Sequence, residues 1–230
     1  MIAASHSTVV PILLMVLVGV SMIVSNISQS RAKRKRVLDL QSLATRLKFD
    51  DFNPNNDEQF VAGWGFLSQL SQGSNRYASN VLRGTYHQQQ LSIFDYHYQT
   101  GFGKNRRDHD LTILMLIEKE AFPQITIGPE NLGERIAAEF GIGNEIQFES
   151  AEFSKTFCVC CQDKKFAYDV CNAQMMEYLL ANRGLKIEIQ GPVISLAFEP
   201  QLPVEQIEFN LQRLAQIRSL LPEYLFTQNA

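Results

Sequence analysis

QLSIFDYHYQTGFGKNRRDHDLTILMLI, residues 90–117, is the stretch whose reading decides the fold. Its first ten residues alternate. Phe94, Tyr96 and Tyr98 share one face of an extended chain, and Leu91, Ile93, Asp95 and His97 share the other, because successive side chains of a strand point to opposite sides. Residues 111–117 are apolar on both faces, the pattern of a strand covered on both sides. Between these runs, residues 100–110 are turn chemistry. The stretch therefore predicts an antiparallel hairpin with a basic, glycine-containing tip.

On the N-terminal side, residues 77–83 form a strand candidate and 60–70 an apolar run around Trp64. The turn-rich segment 50–57 (DDFNPNND) is a break before the domain core. On the C-terminal side, 124–127 is a short strand stopped by Gly128-Pro129, and 131–140 is a short helix capped by Asn131 and stopped by Gly141. Residues 146–148 are extended, and 150–157 make a turn of helix that Glu149 and Glu152 mark at its start. A strand follows at 156–161, then a turn capped by Asp163 and a helix over 173–183 capped by Asn172. Leu185, Ile187 and Ile189 alternate with Lys186, Glu188 and Gln190, a strand covered on one side, and Gly191-Pro192 reverses the chain into a strand at 193–198. Pro203 opens and Pro222 closes a last helix whose apolar stripe is Val204, Ile207, Leu211, Leu214 and Leu221. The sum is α+β, a mainly antiparallel sheet with helices packed on it.

The N-terminus has a different character. TVVPILLMVLVGVSMIV, residues 8–24, contains no charge, and 25–28 extend it without adding one. A helix needs about 20 mostly apolar residues to cross the hydrocarbon of a bilayer. Five basic residues follow, Arg31, Lys33, Arg34, Lys35 and Arg36, and none precedes. A secretory signal would place its positive charge before the apolar core. The positive-inside rule places the N-terminus outside and the rest in the cytoplasm. The expected organisation is a short extracytoplasmic N-terminus (1–7), a transmembrane helix (8–28), a basic juxtamembrane helix (29–49) and a cytosolic α+β domain (50–230). The basic run serves as a membrane-surface contact, attracted to anionic headgroups by about 1 kcal/mol per charge. The lipid bilayer is thus an expected partner.

Beyond Arg36, 16 Lys and Arg stand against 24 Asp and Glu, a net charge of −8. That excludes nonspecific nucleic-acid binding, which needs a basic face. Cys158, Cys160, Cys161 and Cys171 cluster rather than spread, so they do not read as a disulfide framework. A C-x-C-C run on a strand puts Cys160 and Cys161 on opposite faces, and one straight strand does not converge its thiolates. The cysteines therefore read as buried thiols, with no metal and no cofactor expected.

FDYHYQTGFGKNRR (94–107) and FESAEFSKTFCVCCQDKKFAYDVCNAQMMEYLL (148–180) resemble a group of uncharacterised bacterial membrane-anchored proteins, each an N-terminal transmembrane segment with a cytosolic domain of unknown function. The matching elements include Phe148, Glu149, Ser150, Glu152 and Phe153, then Phe166, Ala167 and Tyr168 before Met175 and Met176. The resemblance covers roughly residues 60–200 and implies a single-pass anchor; it brings no activity. Cys160 and Cys161 fall outside the pattern.

The most function-like residues are Lys104, Arg106 and Arg107 of the tip, placed to meet phosphate. The tip is not a Walker A loop: Tyr98 and Asn105 stand where that motif needs Gly and Ser or Thr. Asp95 and His97 lack a nucleophile motif, and His109 reads as a solvated loop group between Asp108 and Asp110. No dinucleotide fingerprint, HExxH or kinase set occurs. The expected function is non-enzymatic: a membrane-tethered domain that binds a protein partner at the inner membrane. Binding of an anionic headgroup or phosphate ligand by the tip is the alternative, and an enzyme without a recognised motif is a third.

Overall fold

The structure is a computed structural model that describes residues 6–130 and 145–227, with side chains from residue 17 onward, residue 18 excepted. The helix expected over 131–140 lies outside the described residues, as do residues 1–5 of the expected extracytoplasmic segment. The chain divides into two compact units, Met1–Leu43 and Ala44–Ala230.

The first unit is carried by α1 (His6–Leu47), a helix of 42 residues, about 63 Å long at 1.5 Å per residue. Arg31, Lys33, Arg34 and Lys35 stand exposed on it and Arg36 is half-buried. Lys35 reaches Asp39 one turn on, at 4.0 Å. Among the described residues no helix is long and apolar enough to cross a membrane.

The second unit is α+β, a six-stranded antiparallel sheet with helices on it. Its strands are β1 (Asp51–Asn53), β2 (Ser74–Tyr86), β3 (Gln89–Thr100), β4 (Arg107–Pro129), β5 (Phe157–Cys161) and β6 (Lys186–Phe198). The order is β1-β2-β3-β4-β5, with β6 also paired to β4. The 23-residue β4 is the spine. Its first half pairs with β3 up to Gln90↔Ile117, its last residues pair with β5, and β6 runs beside it from Phe198 to Ile187.

Four expectations are corrected here. The separate strands at 111–117 and 124–127 are one strand, interrupted by irregularities between Ile117 and Ile125. Gly191-Pro192 does not reverse the chain. Gly191 takes φ +54, a conformation open to glycine without a Cβ clash. It sits opposite Phe122 inside the same irregular stretch, so both halves of β6 follow β4. The alternation at 185–190 does not mark a one-sided strand, because Glu188 is fully buried. Finally, the break at 50–57 contains β1, paired to β2 through Phe52↔Leu82.

One face of the sheet presents Phe94, Tyr96, Tyr98, Ile113 and Met115 to a core shared with Val61, Leu67 and Leu70. Val61 lies in α2 (Glu58–Gly63), and Leu70 in α3 (Ser68–Ser71). The other face carries α4 (Ala151–Thr156), α5 (Lys164–Val170), α6 (Ala173–Ala181) and α7 (Val204–Leu220). Ile207, Leu211, Leu214 and Ile217 of α7 are buried at 0–1% exposure, each such burial being worth roughly 1.5–3 kcal/mol. The helix starts are set locally: Asp163 and Asn172, as expected, and also Ser150 accept the N–H of Phe166, Met175 and Phe153 at 3.0, 3.1 and 3.3 Å.

Candidate functional site

The hairpin stays paired as far as Thr100↔Arg107. The chain then turns through Gly101 at φ +73 and a single 3-10 turn, Gly103–Asn105. A Cβ on Gly101 would collide with the Asn105 carbonyl, so the turn needs glycine there. Asn105 N–H donates to Phe102 O at 3.1 Å and Arg106 N–H to Gly103 O at 3.3 Å. This short turn holds Phe102 out of the domain at 92% exposure. Lys104, Arg106 and Arg107 are exposed around it, Arg106 lying 3.8 Å from Asp108. The three cations anticipated from sequence thus share one protruding tip, and the exposed ring between them went unnoticed in the sequence reading. Its signal was present, a phenylalanine between two glycines in a run with no apolar neighbour.

Beneath the tip, carboxylates and imidazoles stiffen the hairpin. His97 Nδ1 lies 2.8 Å from Asp110 Oδ1, and its ring stacks on Tyr77 at 4.8 Å. Burial, then Asp110 and Asp108, push the Tyr77 phenol above its usual range. Gln99 donates to Asp108 at 2.8 Å. His109 is not a loop residue; it lies on β4, and only 17% of its side chain is exposed. Its ring stacks on Tyr98 at 4.5 Å and 9°. Its Nε2 lies 2.9 Å from Thr100 Oγ1 and its Nδ1 2.7 Å from Glu199 Oε1. Hydroxyl, imidazole and carboxylate stand in the order that activates nucleophiles elsewhere. Here they join the end of β3, the start of β4 and the loop after β6, with Tyr98 over the ring. The product is a clamp that fixes the tip.

Asp95 is 3% exposed and accepts from Asn80 Nδ2 at 2.8 Å and Thr112 Oγ1 at 3.3 Å. Asn80 sits at φ +53 in the irregular stretch of β2, which turns its amide inward. Glu149 and Glu152 flank the start of α4, and Glu152 pairs with Arg183 at 2.8 Å. Glu188 is a buried carboxylate that accepts the N–H of Ser68 at 2.6 Å and of Gln69 at 3.3 Å. Nothing in its local sequence marks this. A cleft of about 520 Å³ lies beside the clamp, lined among others by Gln69, Tyr98, Glu199, Pro200 and Leu202. The four cysteines are buried free thiols. Burial holds the Cys161 thiol up to about 11.

No family model matches the chain, and no curated protein matches it in sequence. Among solved structures, the fold is similar to the crystal structure of the mycobacterial trehalose monomycolate transport factor A, TtfA. The TM-score is 0.56 and the identity 15%, with 81% of this chain and 96% of that chain covered. At that identity the likeness is one of fold.

Proposed function

We propose that this is a bacterial, single-pass membrane protein whose α+β domain works in the cytoplasm as an interaction module rather than an enzyme. The uncharged stretch 8–24 is the tether, and the basic residues behind it hold the cytoplasmic side against anionic headgroups. The observation that carries the interaction reading is the tip: an aromatic ring at 92% exposure among three exposed cations, on a hairpin braced by the His109 clamp. An exposed aromatic with neighbouring arginines is the composition of an interface anchor.

The same exposed ring favours a second reading, in which the tip rests on the membrane surface with Phe102 at the headgroup boundary. One experiment separates the two. Full-length protein with Phe102→Ala and Arg107→Ala is compared with the unaltered chain by mild crosslinking in native membranes and by binding to anionic vesicles. A stoichiometric partner lost in the variant supports the protein reading; vesicle binding lost without any partner supports the lipid reading. If neither changes, the tip is not the interaction site.

A further inference from the structure

We propose that Cys158, Cys160, Glu130 and Glu145 form a binding site for a divalent transition metal, zinc by preference, where β4 and β5 meet. Register alone gathers the four. Cys160 pairs with Thr126 and Cys158 with Gly128, and paired residues of an antiparallel ladder project on the same face. Glu130 follows Gly128 by two, so it returns to that face just beyond β4. On the other side of β5, Glu145 bridges Cys160 and joins the same face. Gly128 puts no side chain opposite Cys158.

Ligand atoms of Glu130, Glu145 and Cys158 lie within 4.8 Å of one another, and Cys160 joins them through its neighbour Cys158 rather than as a fourth member of that group. Cys158 Sγ and Cys160 Sγ are 3.8 Å apart. Two thiolates bound to one zinc at ~2.3 Å and a tetrahedral angle are separated by about 3.8 Å. The sulfurs already stand at the span a shared metal requires.

Two further observations favour a cation there. The carboxylates of Glu130 and Glu145 lie within 4.8 Å of each other, yet among the described residues neither forms an ion pair, and Glu145 receives the Gln147 amide at 2.8 Å. A cation between them would pair with both. Thr126, opposite Cys160 on the same face, is fully buried and its hydroxyl has no hydrogen-bond partner. A metal-bound thiolate at Cys160 would give it an acceptor, the usual outer support of a metal ligand. Each cysteine would give up its thiol proton to solvent as it binds the metal. Two sulfurs with two carboxylates select zinc over magnesium or calcium, which take oxygen alone. Four protein ligands leave no open position, so the metal would staple the edge of the sheet.

Full-length protein purified in detergent and stripped with chelator is titrated with Co²⁺, followed by displacement with Zn²⁺. The expected result is one cobalt per chain, with thiolate-to-cobalt charge-transfer absorption and the strong visible bands of a tetrahedral ion. Cys158→Ser with Cys160→Ser removes the charge-transfer band. Glu130→Gln with Glu145→Gln changes exposed residues only, so the fold is kept, and binding weakens roughly tenfold or more. Cys161→Ala, on the opposite face, leaves binding intact. Absence of charge-transfer absorption at stoichiometric cobalt, or binding equally tight in the double glutamine variant, overturns the proposal.

Discussion

Glu188 is where burial, hydrogen bonding and charge meet most sharply in one residue. Loss of hydration raises its pKa above 4.5, and the N–H groups of Ser68 and Gln69 offset only part of that. A carboxyl whose folded pKa is raised contributes stability that is fully present below its unfolded value. That contribution is lost as the pH rises through the higher folded value. In urea unfolding of the unaltered chain and Glu188→Gln, the advantage of glutamate should be largest below pH 4.5 and shrink toward neutrality. A difference that does not vary with pH would show that the carboxylate is not desolvated as the fold implies. Asp95 makes the complementary point. Asn80 and Thr112 donate to it from the two strands that flank β3, so a residue that reads as a loose polar group on a strand face is a buried tie across three strands.

The β2–β3 connection shows how an element can escape sequence reading. Tyr86↔Gln89 closes a two-residue loop made of His87 at φ +48 and Gln88 at φ +68. Such loops need positive φ at both positions and usually use Asn-Gly. Neither residue here signals a turn, and each costs roughly 1–2 kcal/mol in that conformation. Replacing them with His87→Asn and Gln88→Gly should raise the unfolding free energy by about 1–2 kcal/mol, seen as a higher urea midpoint with unchanged slope. A lower midpoint would mean that the ring contact of Tyr86 with His87, at 4.4 Å, outweighs the backbone strain. The helix starts at Asp163 and Asn172 were legible for the opposite reason. Each caps through an N–H three residues on, a contact that needs no distant chain.

For the whole molecule, the decisive quantity is the asymmetry of charge about residues 8–24, with no Lys or Arg before and five just after. If that stretch tethers the domain as proposed, a tag on the N-terminus of the full-length chain should react with a membrane-impermeant reagent in intact cells. Reaction only after lysis would reverse the proposed orientation, and release of the protein by high salt without detergent would remove the tether. The acidic domain and the basic segment behind the tether then divide the work between them. In the proposed arrangement the cations at 31–36 would meet lipid, while a net charge of −8 beyond them leaves the tip as a local basic point in an acidic sequence.

By itself the sequence determined the α+β class, an antiparallel hairpin over residues 90–117, its basic tip and the helix caps at Asp163 and Asn172. These rest on period-2 alternation, glycine at turns and short-range capping, all of which operate within a few residues. Tertiary structure decided the rest. It made β6 one strand rather than two, since only pairing with β4 can carry Gly191-Pro192 along instead of turning it. It buried Glu188 and moved His109 from a presumed loop into a clamp with Thr100 and Glu199. It also brought Glu130 and Glu145 to Cys158 from opposite sides of β5. Each depends on which strand lies beside which, and register between distant segments is set by the packing of the entire sheet rather than by any local pattern.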